Sequence, residues 1–234
     1  SGAIEHSCNY FFYEVGYRLS RNNGVYDSDT GLEKLAYYAD QFGLSDKSGV
    51  EISESAPKVS DFDAIRSAIG QGTNNYSTVG LARYVTTVAN SGNCYNLSLL
   101  SKATDADGNL IADYTPTLRN TVDLKQSTWD AIHQGMRKVV EDKDYYKDLT
   151  IQVAGKTGTA QENRKRANHA LFVCYAPYEQ PQIAIATRIA FGYASDYAAQ
   201  VTKDIVKYYF KLEDESSLIT GTAESTNVVQ SAGD

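Results

Sequence analysis

The sequence has few of the residue types that mark a metal protein or a disulfide-stapled domain. Its 234 residues include three cysteines and three histidines. Cys8, Cys94 and Cys174 share no C-x-x-C spacing, so we predict no metal site and no cofactor, and an intrachain disulfide is left open but is not indicated. The H-E-x-x-H motif of zinc hydrolases and the G-x-S-x-G motif of a second hydrolase class are both absent from the sequence.

Long apolar runs and runs of positive charge are also missing. No stretch of about 18 apolar residues occurs, so no segment is predicted to span a membrane, and no secretory signal peptide is found. The formal net charge of −7 and the lack of a basic run argue against a nucleic-acid partner. With 42% hydrophobic residues and 18 tyrosines, the composition is that of an ordinary globular protein with room for one large domain.

Hydrophobic periodicity predicts an α+β fold, with helices first and strands near the end. Helices are predicted after Asn9 and over residues 30–44, 77–91, 127–143 and 196–212, and strands over 151–161, 168–176 and 182–191. The last two strands are nearly continuous apolar runs joined by a short link, which predicts a buried antiparallel hairpin. A small β-excursion turned by Asp107-Gly108 is predicted over 95–118, and a short strand is considered at 49–52.

Composition also divides the chain into a domain and a tail. Residues 1–213 form the predicted domain, and residues 214–234, which are rich in Ser, Thr and Gly, form a predicted disordered polar tail. Within the domain, His133 is predicted to lie at the surface and His169 to be a hydrogen-bonded strand histidine. The predicted helix caps are Asp29 or Thr30, a capping box from Ser127 to Asp130, and Ser195.

Residues 153–161 (VAGKTGTAQ) carry the clearest chemical signal. On a strand, Lys156 and Gly158 share one face and Thr157 and Thr159 the other, and the glycine lets a ligand or a second backbone approach closely. A cation, hydroxyl donors and backbone N–H groups together form a receptor for a carboxylate and a developing oxyanion. Taken alone, the K-T-G run is more typical of a Gly-bent edge strand that carries a solvated lysine than of a binding site.

Four further segments occur in a fixed order around this run. They are HSCNYFF at 6–12, AIGQGT at 68–73, TVGLAR at 78–83 and NHALFVCYAP at 168–177. Ser7-Cys8-Asn9 and Lys156-Thr157-Gly158 match the forms of two of the three motifs shared by class A β-lactamases and penicillin-binding proteins, S-x-N and K-T-G. Taken together, the segments resemble the transpeptidase domain of class B penicillin-binding proteins, over roughly residues 3 to 210.

This resemblance implies a fold and an activity. The fold would be an antiparallel β-sheet flanked by helices, five-stranded in the family, beside a helical subdomain. The activity would be that of a peptidoglycan D,D-transpeptidase, which cross-links stem peptides ending in D-Ala-D-Ala through a serine acyl-enzyme and is acylated by β-lactam antibiotics. Such enzymes act on the extracytoplasmic face of the bacterial membrane and are anchored there by an N-terminal helix.

The resemblance also assigns roles to individual residues. Ser7 would relay a proton toward the leaving amine, Asn9 would bind the substrate amide, and Lys156 would polarise Ser7. Thr157 and Thr159 would bind the terminal carboxylate, and the Thr159 N–H would donate to the oxyanion. Gly158 and Gln161 would complete the substrate-binding strand. For Ser7 and Asn9 the alternative is a structural role as helix caps.

One element of the pattern, the S-x-x-K motif that bears the nucleophile, does not occur before Ser7. The only S-x-x-K is Ser55-Ala56-Pro57-Lys58, where Pro57 disfavours the required helix, so we interpret it as a coincidence. Cys8 is disfavoured as a nucleophile because no general base is evident. We therefore predict a chain truncated before its nucleophile, inactive alone, with the N-terminal remainder of the same protein as partner. The alternatives are a β-lactam-sensing receptor domain and a non-catalytic scaffold.

Overall fold

The computed structural model describes residues 1–162 and 165–218. Its helices are α1 (Gly2–Glu5), α2 (Asn9–Leu19), α3 (Ser28–Gln41), α4 (Ala64–Ser67), α5 (Thr78–Ala89), α6 (Gln126–Glu141), α7 (Ser195–Tyr209) and α8 (Glu215–Leu218), with a 3₁₀ turn at Asp144–Tyr146. In this described part of the chain, no helix has both the length and the hydrophobicity that a membrane crossing would need. The prediction of disorder is wrong for the start of the tail, where Glu215–Leu218 form α8, and residues 219–234 lie outside the described residues.

The main sheet has three antiparallel strands in the order β7 (Ala154–Ala160), β8 (His169–Ala176) and β9 (Ile183–Ile189). This arrangement confirms the predicted strands and the hairpin between the last two of them. Alternate residues of β8 enter different core clusters, because successive side chains of a strand point to opposite faces. Phe172 and Cys174 pack in one cluster with Val206 of α7, and Tyr175 packs in the other with Val85 of α5. Cys174 is thus buried within the nearly continuous apolar run of β8.

Three shorter pairs of strands lie outside this sheet. The bounds are β1 (Arg21–Asn22) with β2 (Val25–Tyr26), β3 (Asn93–Asn96) with β6 (Thr117–Thr121), and β4 (Lys102–Thr104) with β5 (Leu110–Asp113). The last two pairs form the predicted β-excursion, and Gly108 turns it with a φ of +86°. Residues 49–52, considered as a short strand, form none; Glu51 instead accepts a hydrogen bond from Ser98 at 2.5 Å.

Helices α2, α3 and α4 pack together as the predicted helical subdomain. Two glycines permit the close crossing. A Cβ at Gly31 of α3 would lie 2.0 Å from Ser20 Oγ, and a Cβ at Gly16 of α2 would lie 2.9 Å from Ala68 Cβ. Both separations are shorter than atoms tolerate, so a larger residue at either position would force the helices apart. This packing fixes the direction of α2, whose first turn follows Ser7.

The predicted helix starts are wrong in detail. Helix α3 begins at Ser28, and its cap is Asp27, which accepts a hydrogen bond from the Asp29 N–H at 3.1 Å. Thr30, the other predicted cap, donates to Asp27 at 2.6 Å. The carboxylate of Asp27 therefore accepts from both residues that were predicted as caps. A cap needs an extended backbone, and Asp27 has it, with φ −141° and ψ 108°.

The caps of α6 and α7 also differ from prediction. Lys125 and Ala194 occupy the two cap positions, and neither makes a side-chain capping bond. The predicted capping box from Ser127 to Asp130 already lies inside α6, and Ser195 is the first residue of α7. Both helices bury a broad apolar face against the sheet, so packing rather than a local side-chain bond sets where they begin.

Arg83 is a buried charge that the sequence patterns did not identify. Its side chain, on α5, is completely buried and donates to the carbonyl oxygens of Gly43 and Lys47, each at 3.0 Å. It also pairs with the Asp46 carboxylate at 2.6 Å. Gly43 terminates α3 with a φ of +74°. Arg83 therefore satisfies the carbonyl groups of the loop that follows α3 and ties this loop to α5.

We expect Arg83→Met to lower the free energy of unfolding by about 3 kcal/mol, because it leaves the carbonyl groups of Gly43 and Lys47 without their donor. Urea unfolding followed by circular dichroism measures this change. Arg18→Met is the matched control, since Arg18 pairs with Glu14 at the surface of α2, and it should cost less than about 0.5 kcal/mol. Equal losses in the two variants would contradict the structural role of Arg83.

Candidate active site

Ser7 and Lys156 meet across the cleft between the helical subdomain and the sheet. The ammonium group of Lys156 donates a hydrogen bond to Ser7 Oγ, although the two residues lie 149 positions apart in the sequence. The same nitrogen lies 2.9 Å from the Thr157 carbonyl oxygen and 3.4 Å from Thr157 Oγ1. The predicted convergence of Ser7 and Lys156 is thereby confirmed.

The backbone around Ser7 presents its hydroxyl group to the lysine. Ser7 has a φ of +48°, in the left-handed region that costs a residue with a side chain roughly 1 kcal/mol or more. Cys8 occupies the cap position of α2 and Asn9 is its first residue, with no side-chain capping bond. The alternative role of Ser7 and Asn9 as helix caps is therefore wrong. Within the described residues, the exposed Asn9 amide forms no hydrogen bond, so it is free to meet a ligand.

Lys156 lies in a partly buried position on β7, opposite Val173 of β8. Burial lowers the pKa of its ammonium group, and the positive charge of Lys143 lowers it further. Among residues 1–162 and 165–218, no carboxylate forms an ion pair with Lys156. Its positive charge is therefore available to an anionic ligand and to the Ser7 hydroxyl.

The remaining predicted site residues follow Lys156 along β7. This strand pairs with β8 alone among the described strands, so its other edge is open to a ligand. Thr157 is partly buried and Thr159 exposed. Alternation along the strand would separate Lys156 from Thr157, but the long lysine side chain curls back to the Thr157 carbonyl and hydroxyl groups. Gln161, exposed, comes directly after the end of the strand.

The two glycines that flank the lysine position serve strand packing. A Cβ at Gly158 would lie 3.3 Å from the Leu171 Cβ, and one at Gly155 would lie 2.5 Å from the Phe172 ring. Side chains at these positions would crowd the neighbouring strand β8. The glycines thus keep β7 flat against β8 and leave its open edge to the site.

An apolar cavity of about 490 Å³ opens beside Lys156. Its lining combines side chains of the helical subdomain with side chains that pack on the sheet, including Phe12, Leu35, Phe42, Val88, Met136 and Val173. Lys156 is the charged residue at its border. A cavity of this size and lining is typical of a place where apolar groups are bound.

The S-x-x-K sequence at Ser55 does not form a helix. Residues 53–57 are irregular, as Pro57 predicted, and Lys58 pairs with Asp61 at 3.1 Å. The Lys58 backbone bonds that of Asn75. Ser55 and its lysine therefore lack the geometry of a nucleophile activated one helical turn away. Gly70 and Gly72, in the AIGQGT segment, each have a φ of +82°.

The comparisons with known proteins agree with this geometry. A family model for the penicillin-binding protein transpeptidase domain matches residues 1–207. The chain belongs to this family.

Relatives with similar sequences come from several bacteria. Penicillin-binding protein 2B of Streptococcus pneumoniae is 26% identical over 240 residues, which cover 89% of this chain and 35% of the relative. Peptidoglycan D,D-transpeptidase MrdA of Haemophilus influenzae is 28% identical over 245 residues, with 88% of this chain and 35% of the relative covered. The chain thus spans about a third of the length of these curated relatives.

Solved structures show the same fold. Penicillin-binding protein 2B of S. pneumoniae strain R6 aligns with a TM-score of 0.78 and 25% identity, over 90% of this chain and 39% of that one. Penicillin-binding protein A of Mycobacterium tuberculosis, as its imipenem acyl-enzyme complex, aligns with a TM-score of 0.75 and 21% identity, over 89% of this chain and 46% of that one. The α+β fold predicted from the sequence is confirmed.

Two histidines of this transpeptidase domain form hydrogen bonds with distant parts of the chain. The prediction of a surface position for His133 is wrong, because its Nδ1 lies 2.6 Å from the Tyr175 hydroxyl and its Nε2 3.2 Å from Ser91 Oγ, and burial lowers its pKa. His169 is buried and hydrogen-bonded, as predicted. Both partners of His133 lie 42 residues away from it in the sequence, so no local sequence pattern indicated them.

Three residues at the surface have the side-chain types of a metal site, but one of them is already paired and the other two are exposed. Glu5, His6 and Asp142 bring one ligand atom each within 4.8 Å of one another. Glu5 is already neutralised by Lys138, at 3.3 Å, and the other two residues are exposed. Exposed acidic groups often cluster in this way without binding a metal, so we assign no metal to them.

The lowered pKa of Lys156 predicts a pH-dependent contribution to stability. Below its ordinary pKa of 10.5, the unfolded chain holds the lysine proton more tightly than the folded chain. The free energy of unfolding of the wild type should therefore rise, relative to Lys156→Met, as the pH increases from the folded pKa toward 10.5.

Urea unfolding of both proteins over a series of alkaline pH values measures this difference. Lys102→Met, which removes an exposed lysine of β4, is the control for the loss of one positive charge. The quantity compared is the free energy of unfolding of the wild type minus that of Lys156→Met. A difference that stays constant or falls as the pH rises would contradict the assignment of a desolvated lysine at this site.

Proposed function

We propose that this chain is the C-terminal portion of a peptidoglycan D,D-transpeptidase that cross-links D-Ala-D-Ala stem peptides and is acylated by β-lactam antibiotics. The observation that carries the proposal is the contact between Lys156 and Ser7 in a domain of the transpeptidase family. The name of the MrdA relative and the acyl-enzyme complex of the M. tuberculosis protein support it. By analogy with such bacterial enzymes, the protein would act on the extracytoplasmic face of the membrane.

The reaction proceeds in two acyl transfers. A serine oxygen attacks the carbonyl carbon of the D-Ala–D-Ala peptide bond, the C–N bond breaks, and the terminal D-alanine leaves after its nitrogen gains a proton. The amine of a second stem peptide then attacks the ester, forms the cross-link and returns the serine hydroxyl. A β-lactam enters the first step, and its opened ring stays attached to the serine.

Ser7 and Lys156 would move the proton in the first step. Because Ser7 Oγ accepts a hydrogen bond from the Lys156 ammonium group, its own O–H is free to donate to the departing nitrogen. The lowered pKa of Lys156 favours passing a proton on to Ser7 in turn. Proton transfer by positioned groups of this kind typically accelerates a reaction by about 10² to 10⁴-fold.

The open edge of β7 would hold the substrate. Thr157 and Thr159 would bind the terminal carboxylate under the unpaired charge of Lys156, and Asn9 would bind an amide of the peptide. A charge pair about 4 Å apart contributes roughly 4 kcal/mol at an effective dielectric constant of about 20. A single oxyanion donor such as the Thr159 N–H lowers the barrier by about 2.7 to 4 kcal/mol.

The nucleophile would come from an S-x-x-K segment in the N-terminal remainder of the same protein. Ser55 does not suit this role, because its segment is irregular. The apolar cavity beside Lys156 would seat the apolar side chains of that segment and bring its serine to the site. Residues 1–213 would then be the C-terminal portion of the transpeptidase domain, followed by the polar tail.

Labelling with a fluorescent penicillin tests this proposal. The 234-residue chain should show no covalent band after denaturing electrophoresis, and the same residues with the natural preceding segment should show a stoichiometric one. In the longer protein, Lys156→Met should slow acylation by about 10² to 10⁴-fold, because the proton relay is lost. Lys102→Met, an exposed lysine away from the site, should leave the rate unchanged.

The other outcomes of the labelling experiment would indicate a different nucleophile or a different class of protein. A stoichiometric band on the 234-residue chain would show that Ser55, Ser7 or Cys8 acts as nucleophile and would overturn the proposed division of the site. A longer protein that is labelled but does not cross-link peptides would be a receptor. A longer protein that is never labelled would be a scaffold.

A further inference from the structure

A second cluster of polar groups lies at the end of the sheet where β7 leaves it. His169, the first residue of β8, is buried; its Nε2 lies 2.9 Å from the Glu162 carboxylate. Its Nδ1 lies 3.1 Å from the backbone nitrogen of Phe191, whose ring packs on the imidazole at 4.8 Å. An Arg188 guanidinium nitrogen lies 3.3 Å from Nδ1 and 3.4 Å from Nε2. The chemistry proposed above uses none of these groups.

The hydrogen bonds fix which nitrogen of His169 carries the proton. The Phe191 N–H can only donate, so Nδ1 must accept and cannot carry a hydrogen. The Arg188 guanidinium is also a donor only, but it lies 3.3 Å from Nδ1 and 3.4 Å from Nε2 and so does not discriminate between the two nitrogens. The ring proton therefore lies on Nε2, which donates it to the Glu162 carboxylate. Glu162 is thus held by a directional, charge-assisted hydrogen bond.

The Glu162–His169 hydrogen bond holds the chain just beyond the end of β7, the strand proposed to bind the carboxylate. The pairing of β7 with β8 ends at Ala160 opposite His169, and Glu162 lies just two residues further on. Gln161, between them, is exposed and forms no hydrogen bond among the described residues. The Glu162–His169 bond therefore extends the attachment of β7 to β8 past the last ladder pair, beside Thr159.

The far side of His169 is anchored in a constrained turn. Phe191 and Tyr193 both have left-handed backbones, with φ of +54° and +63°. Their N–H groups donate to His169 Nδ1 and, at 3.1 Å, to the Asn168 carbonyl. Left-handed conformations at residues with side chains persist only where the surroundings hold them. The turn that follows β9 is therefore bonded directly to the start of β8, and it holds the imidazole in place.

We propose that Glu162 and His169 are positioning residues for carboxylate recognition: the bond between them sets the end of β7, and with it Thr159 and Gln161, in the geometry that binds the substrate carboxylate. The inference rests on the proposed function. The groups act through the strand, since neither is among the residues assigned to the substrate or the reacting atoms. A buried neutral imidazole needs one acceptor and one donor for its two nitrogens, and His169 finds them in two separate parts of the chain, just beyond β7 and in the turn after β9.

The bond itself is tested on the 234-residue chain. Nitrogen-15 NMR should show His169 as a neutral ring with its proton on Nε2. Amide hydrogen exchange at Ala160, the last residue of β7 in the ladder, should be faster in Glu162→Ala than in the wild type. Glu162→Gln should restore the wild-type exchange rate, because an amide oxygen still accepts from Nε2. Glu14→Ala, which removes a surface ion pair of α2, is the matched control and should leave the exchange at Ala160 unchanged. A proton on Nδ1, or unchanged exchange in Glu162→Ala, would overturn the inference.

The role in recognition is tested on the longer protein that carries the nucleophile. Glu162→Ala should lower the acylation efficiency for a penicillin by about tenfold, the effect of roughly one charge-assisted hydrogen bond, and should affect its methyl ester much less. Glu162→Gln should recover most of the loss. Equal losses for acid and ester would show a merely structural role and overturn the inference.

If the wild-type protein is never acylated, the proposed function fails, and the inference about recognition fails with it. The NMR and exchange results still decide whether the Glu162–His169 bond exists.

Discussion

The contact between Lys156 and Ser7 depends on a connected series of packing interactions. Strand β7 carries the lysine and packs against α6, and α6 packs against α1, which ends just before Ser7. Gly135 makes the second contact close, since a Cβ there would lie 2.9 Å from the Ile4 Cβ. Arg137 of α6 donates to the Val153 carbonyl at 3.1 Å, directly before β7. Helix α6 therefore fixes both partners of the contact.

This arrangement places a cation where solvation is poor. Burying an ammonium group costs stability unless a counter-ion is present, and among the described residues no carboxylate pairs with Lys156. The lysine instead bonds Ser7 and Thr157, so its charge stays available for an anion. A buried ammonium group without a counter-ion destabilises the fold, but it can bind an anionic ligand. Ionisable groups with shifted pKa values in clefts are typical of functional sites. The proposed reaction uses the charge twice, to hold a carboxylate and to supply a proton.

Sequence patterns identified the features whose causes are local. The apolar runs of β8 and β9 predicted buried strands, the period after Asn9 predicted α2, and the segments around Ser7 and Lys156 predicted the two halves of the site. Features set by distant contacts were missed. Arg83 is buried because carbonyl groups 40 residues away accept from it. Glu162 lies beside His169 because β7 pairs with β8, and no local sequence pattern indicates this contact.

The most direct test of the central contact is a nuclear Overhauser measurement between the ε-methylene protons of Lys156 and the β-methylene protons of Ser7. The account predicts a cross-peak between them, because the ammonium group donates to the serine oxygen. The account would be contradicted if the NMR signals of both side chains are assigned and sharp and show cross-peaks to their other neighbours but none to each other.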